Sequence, residues 1–125
     1  HAGELARLLG NSRAEVEADP LAAVLTASRS TGCTVLLKGA TQYVAAPDST
    51  RVWLAVPGPA WTAQAGSGDL LAGICGTLLA AGLAPVDAAL AAASVQAVAA
   101  AAAPGPVPPQ ELLLPVPPHR TRPAE

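Results

Sequence analysis

The stretch Gln64-Ala65-Gly66-Ser67-Gly68-Asp69-Leu70-Leu71-Ala72-Gly73 sets a glycine-rich loop directly in front of an apolar run. Gly66 and Gly68 have no Cβ, so the backbone there can turn sharply and lie close to a ligand. The run that follows predicts a helix from Asp69 to about Ala81, closed by Gly82 in the left-handed conformation. The first amides of such a helix have no intrahelical partner. Together with the helix dipole they make a seat for an anion, a phosphoryl group above all. Gly66, Ser67 and Gly68 are the expected anion hole. Asp69 has two readings at this point: a cap on the helix, or a base that takes the proton of a bound hydroxyl.

Upstream, local signals are dense. Leu5, Leu8 and Leu9 fall at helical spacing and Gly10 reads as a stop, with the segment before them read as a loop. Ser12-Arg13-Ala14-Glu15 has the spacing of a capping box and predicts a short helix to about Asp19. Asp19-Pro20 then reads as a fresh N-cap with proline at the first helical position, opening a helix that ends near Thr31-Gly32. Cys33 to Leu37 is an apolar run without polar alternation, as expected of a strand covered on both faces in a parallel sheet. Lys38-Gly39-Ala40-Thr41 follows at the carboxyl end of that strand, where open α/β sheets bind ligands. A lone lysine there is also read as a solvated charge. Residues 42–46 and 52–56 predict a hairpin turned by Pro47-Asp48-Ser49-Thr50, with Tyr43 and Trp53 expected to pack on one side of it. Pro85 opens an alanine-rich helix to about Ala103.

The 125 residues amount to one domain or part of one. The apolar half of the chain is mostly Ala, Leu and Val, with no Phe or Met, so large side chains contribute little to a core. A net charge of −2 and the lack of a basic stripe argue against nucleic acid as a partner. Cys33 and Cys75 lack metal-ligand spacing and read as buried thiols in a reducing, cytoplasmic compartment; no metal cluster is expected. The start of the chain carries no secretory pattern. Residues 70–103 are apolar, but Gly82, Pro85 and Asp87 interrupt them, so no membrane span is expected. Eight of the last 22 residues are proline. The chain is therefore divided into a domain portion, 1–103, and a Pro-rich tail, 104–125, partly disordered, in which Leu112 to Leu114 are the residues expected to dock.

Three strings occur in order: His1-Ala2-Gly3-Glu4, then Leu37-Lys38-Gly39, then Ala65-Gly66-Ser67-Gly68-Asp69. This set resembles the ribokinase-like superfamily, and more closely the C-terminal half of ADP-dependent NAD(P)H-hydrate dehydratases, over residues 1–103. The resemblance implies an α/β fold, a ribokinase-like three-layer α/β/α arrangement of which this chain supplies the C-terminal portion: a parallel strand, a β-hairpin and flanking helices. It implies repair of hydrated NAD(P)H. ADP (or ATP) phosphorylates the ring hydroxyl, phosphate leaves, and NAD(P)H and AMP result. Carried over by position, Asp69 is the catalytic carboxylate and, with His1, contacts the hydrate. Lys38, Gly39, Ala40, Thr41, Gln42 and Gly68 contact the nucleotide. Mg2+ is implied with the nucleotide, the N-terminal half of the domain as a partner, and a homo-oligomer is compatible with it. Ala2, Pro59, Gln64 and Gln96 depart from the family pattern, where Pro, Asn, Thr and His are common. Two other readings share the glycine loop: a ribokinase-like kinase for a small alcohol such as a vitamin precursor, and an inactive fragment.

Overall fold

The computed structural model describes residues 1–113. Five helices and three strands follow one another as α1 (Ala2–Leu9), α2 (Arg13–Ala18), α3 (Pro20–Thr31), β1 (Val35–Leu37), β2 (Gln42–Ala45), β3 (Val52–Ala55), α4 (Ser67–Ala80) and α5 (Pro85–Ala102). Short 3-10 turns occupy Ala60–Thr62 and Pro109–Leu113.

The helix ends obey local chemistry. The Ser12 hydroxyl accepts from the Glu15 amide at 3.2 Å, and the Glu15 carboxylate accepts from the Ser12 amide at 2.6 Å. Asp19 Oδ1 accepts from the Ala22 amide at 3.0 Å, with Pro20 in the first turn of α3. Gly10 and Gly32 close α1 and α3 at φ 71° and 67°, a region that glycine enters without a Cβ clash. The segment before Leu5, expected as a loop, is already helix. His1 caps α1, its Nδ1 accepting from the Gly3 amide at 3.0 Å.

The sheet runs β1-β2-β3, antiparallel throughout. The parallel pairing expected for β1 is not seen among the described residues. The connection Lys38–Thr41 is too short for a parallel crossover, which needs a dozen residues or more, so it returns the chain antiparallel. Helices do cover β1 on both faces. Leu37 packs in a cluster with Leu5, Val16, Val24, Ala27 and Ala45, contributed by α1 to α3 and β2. Leu36 packs against the opposite cluster of Ala55, Leu71, Ala92 and Ala93. The result is helix, sheet, helix. In this register Val44 faces Trp53 and Tyr43 faces Leu54. Tyr43 and Trp53 therefore lie on opposite sides of the sheet, against expectation, because directly paired residues share a face and successive ones alternate.

Alanine decides how closely the second layer lies. Ala88, Ala89, Ala92, Ala93, Ala97 and Ala100 are the buried apolar residues of α5. The helix is long and apolar enough by composition to cross a membrane, yet these alanines lie in the core against α4 and the sheet. Gly58 passes so near that a Cβ there would lie 3.3 Å from the Ala97 Cα. Beyond α5, residues 109–113 pack on α4 and α5. Leu112 and Leu113 belong to that turn; Leu114 and the rest of the Pro-rich tail lie outside the described residues. Cys33, expected to be buried, is exposed in the link between Gly32 and β1, before the chain enters the sheet. Cys75 is half-buried, and desolvation pushes its thiol up from the ordinary value.

Two measurements check this account. Val44 is fully buried at the centre of the sheet. Val44→Ala is expected to cost about 2 kcal/mol, read from the denaturant midpoint. The Ser12 backbone amide, then its hydroxyl, hold the Glu15 carboxyl below the usual glutamate range. Its cap contribution is therefore complete above about pH 4.3 and is lost as pH falls through the lowered native value. Amide exchange at Ser12, corrected for intrinsic rate, is expected to quicken over that descent and to become insensitive to it in Glu15→Gln.

Candidate functional site

The glycine loop is built by a turn. The Ser67 amide donates to the Gln64 carbonyl at 3.1 Å, and Gly66 sits between them at φ 87° and ψ −13°. That pairing of an i to i+3 bond with a positive φ at the third residue is the pattern of a type II turn, which requires glycine there. The helix consequently starts at Ser67, two residues earlier than expected, with Gly66 as its N-cap. The Leu70 amide returns to the Gly66 carbonyl at 3.1 Å. The Ser67 amide is thus occupied by the turn. The amides of Gly68 and Asp69 have no partner among the described residues. They are the donors left for an anion.

Asp69 does not cap the helix. It occupies the third helical position, its side chain is exposed, and among the described residues its carboxylate forms neither a hydrogen bond nor an ion pair. In the first turn of α4 the carboxylate favours the helix through the dipole, and among the described residues no hydrogen-bond or ion-pair partner engages it.

Lys38 leaves β1 and brings its ammonium over the start of α4. A Cβ built on Gly68 would collide with Lys38 Nζ. Gly68 is thus the space in which the ammonium sits. Lys38 has no ion pair among the described residues. A cation beside the positive end of a helix dipole is unfavourable on its own, and the pair becomes favourable once an anion lies between them.

The remaining expected residues divide between two adjoining cavities. His1, Lys38 and Gly39 border both. Ala40 and Thr41 line the larger, about 580 Å³, with Arg13 and Tyr43. Gln42 and Ser67 line the smaller, about 320 Å³, with Thr62, Gln64 and Gln96. Gln42 Oε1 is buried without a hydrogen-bond partner among the described residues, so it is an acceptor in need of a donor. Asp69 borders neither. It opens into a third cleft of about 530 Å³, walled by Leu70, Ile74, Leu78, Val95 and Leu113. Lys38 and Asp69 therefore border different cavities at the start of α4.

The string His1-Ala2-Gly3-Glu4 has a local explanation as well. Gly3 leaves room for the His1 ring, whose Cε1 would lie 3.0 Å from a Cβ at that position. Glu4 reaches back to the His1 main-chain nitrogen, completing a capping box. Gln96 was noted in the sequence only as a departure, yet it is the buried polar residue of α5. Its Nε2 donates to the Ser67 carbonyl at 2.9 Å. The available signal was a carboxamide inside an alanine run, since a buried amide needs a partner.

Comparison with known proteins decides the lineage. The profile of the NAD(P)H-hydrate dehydratase family matches residues 1–110. The chain belongs to this family. The ADP-dependent (S)-NAD(P)H-hydrate dehydratase of Neisseria meningitidis serogroup B is 48% identical over 91 residues, covering 73% of this chain and 30% of that protein. The bifunctional NAD(P)H-hydrate repair enzyme Nnr of Mycobacterium leprae is 48% identical over 89 residues, covering 71% of this chain and 18% of that protein. Among solved structures, Bacillus subtilis YxkO superposes with a TM-score of 0.73 at 26% identity, covering 79% of this chain and 37% of that one. The chain thus spans less than a third of these two sequence relatives. The α/β fold expected from the sequence agrees with this neighbour.

Gly68→Ala tests the seat. The fold is expected to keep or gain stability, by up to about 1 kcal/mol, because alanine favours a helix over glycine. The new methyl displaces the Lys38 ammonium, so affinity for an anion such as pyrophosphate in titration calorimetry is expected to fall about tenfold, the loss of one charge-assisted contact. Unchanged affinity would remove Lys38 from the anion seat.

Proposed function

We propose that this chain carries the phosphoryl-transfer centre of an ADP-dependent NAD(P)H-hydrate dehydratase. The observation that carries the reading is Lys38 Nζ lying against Gly68 at the start of α4, where, among the described residues, the Gly68 and Asp69 amides have no partner and Lys38 has no ion pair. Family membership supplies the reaction class.

In this reading a phosphate of ADP lies over Gly68, held by the Gly68 and Asp69 amides and by Lys38. Gly39, Ala40, Thr41 and Gln42 border the nucleotide, and the buried Gln42 acceptor receives a donor from its hydroxyl or amino groups. The hydrate is read as meeting Asp69, with His1, which borders the Lys38 cavities, as its further contact. Asp69 takes the proton of the ring hydroxyl as its oxygen attacks the β-phosphorus of ADP, and the bond to AMP breaks. Phosphate is a far better leaving group than hydroxide. As phosphate departs with the electron pair of the C–O bond, the adjacent ring carbon gives up a proton to solvent or phosphate, and the double bond of the reduced ring is restored.

Magnesium would enter with the nucleotide, because the described residues include no cluster of three or more His, Cys, Asp or Glu side chains able to hold a metal. Mg2+ commonly binds through phosphates and one or two carboxylates, and Asp69 is the carboxylate in the first turn of α4. The relatives are much longer than this chain. We therefore place the rest of the hydrate site on further residues of the domain, beside the free edge of β1. The cytoplasm, where free nicotinamide cofactor is handled, is the compartment this reading implies.

The test is incubation of the complete gene product with hydrated NADH and ADP while the absorbance band of the reduced nicotinamide is followed. Recovery of the band with release of AMP is expected. A stable phosphorylated alcohol instead would identify a small-alcohol kinase. Asp69→Asn is expected to slow turnover about a hundredfold or more. Near-normal turnover in that variant would rule out Asp69 as the base.

A further inference from the structure

We propose that Gln64 is a positioning residue, clipping the glycine loop to the segment that follows α5 and so fixing the donors of the anion seat. The proposal rests on the reading of Gly66 to Asp69 as that seat.

Gln64 is held from two directions. Its carbonyl closes the turn by accepting from the Ser67 amide. Its side-chain Nε2 donates to the Val107 carbonyl at 2.6 Å, across 43 residues of sequence, in a partly buried setting. Pro109 lies on the same side, with its Cγ 3.7 Å from where a Cβ of Gly66 would stand. Residues 109–113 continue onto α4 and α5, and Leu113 closes one wall of the Asp69 cleft. From α5 Gln96, only 8% exposed, holds the Ser67 carbonyl.

Two carboxamides thus brace the turn, Gln64 from within the loop and Gln96 from α5. The Gln64 donor is committed to Val107, so its contribution to anion binding runs through the loop. A two-glycine loop released from such braces samples many backbone states, and a ligand must then order it at the moment of binding. Bracing removes that ordering cost in advance. It also makes residues 104–113 part of the binding apparatus, although none of their side chains needs to touch the nucleotide.

Gln64→Leu and Gln64→Asn test the clip in the full chain. The first keeps reach without a donor, and the second keeps the amide but withdraws it from Val107. In both, hydrogen exchange of the Ser67 and Leu70 amides, which the turn and the helix start protect, is expected to rise about tenfold, with the amides of α3 and β2 unchanged. The affinity for ADP is expected to weaken by a similar factor. Loop exchange that stays at the wild-type rate in both variants overturns the proposal, whatever happens to ADP. Faster exchange together with an absence of ADP binding in wild type and variants alike would support the clip and overturn the nucleotide reading.

Discussion

The close approach of α5 to the sheet governs the rest of this structure. Each buried alanine removes little apolar area from water, so the layer gains its stability by nearness. Gly58 against Ala97 shows how little space remains. Within that spacing the Gln96 side chain reaches the first carbonyl of α4. A bulkier face on α5 would move the helix outward and take the anchor of the glycine loop with it. Core packing and site geometry are therefore a single constraint here.

A second constraint acts on the opposite side of the sheet. The buried Ser28 hydroxyl lies 2.7 Å from the Cys33 carbonyl and 3.1 Å from the Ala45 carbonyl. It ties the end of α3 to the approach to β1 and to the last residue of β2. Lys38 departs from the far end of β1, so the location of its ammonium is inherited from this junction. The loop is set by α5 and the lysine by the sheet. The two meet over Gly68 because its lack of a side chain leaves a place for them to meet.

Much of this was legible in the sequence wherever the physics is local. Ser12 with Glu15, Asp19 with Pro20, and Gly82 after α4 each solve a helix end within a few residues, and the structure follows them. Readings that required a distant partner fared differently. The apolar character of β1 reports its covering helices and says nothing of strand direction, which the short link to β2 decided. Tyr43 and Trp53 were separated by register, and register depends on which residues pair. Asp69 lost its capping role because Gly66 closes the turn first. The loop itself, Lys38 and the ordered motifs were visible. The braces at Gln64 and Gln96 were not, since their partners lie 43 and 29 residues away.

The sheet has a further implication for handling the protein. Within the described residues β1 and β3 each pair on one side alone, so each carries a row of peptide groups along a bare margin. Leu54, on β3, is 62% exposed and adds an apolar face to one of them. Strand margins of this kind template association with other chains. Solubility of the 125-residue polypeptide by itself is thus a question of concentration, and a blocking charge or proline along β3 is the conservative remedy.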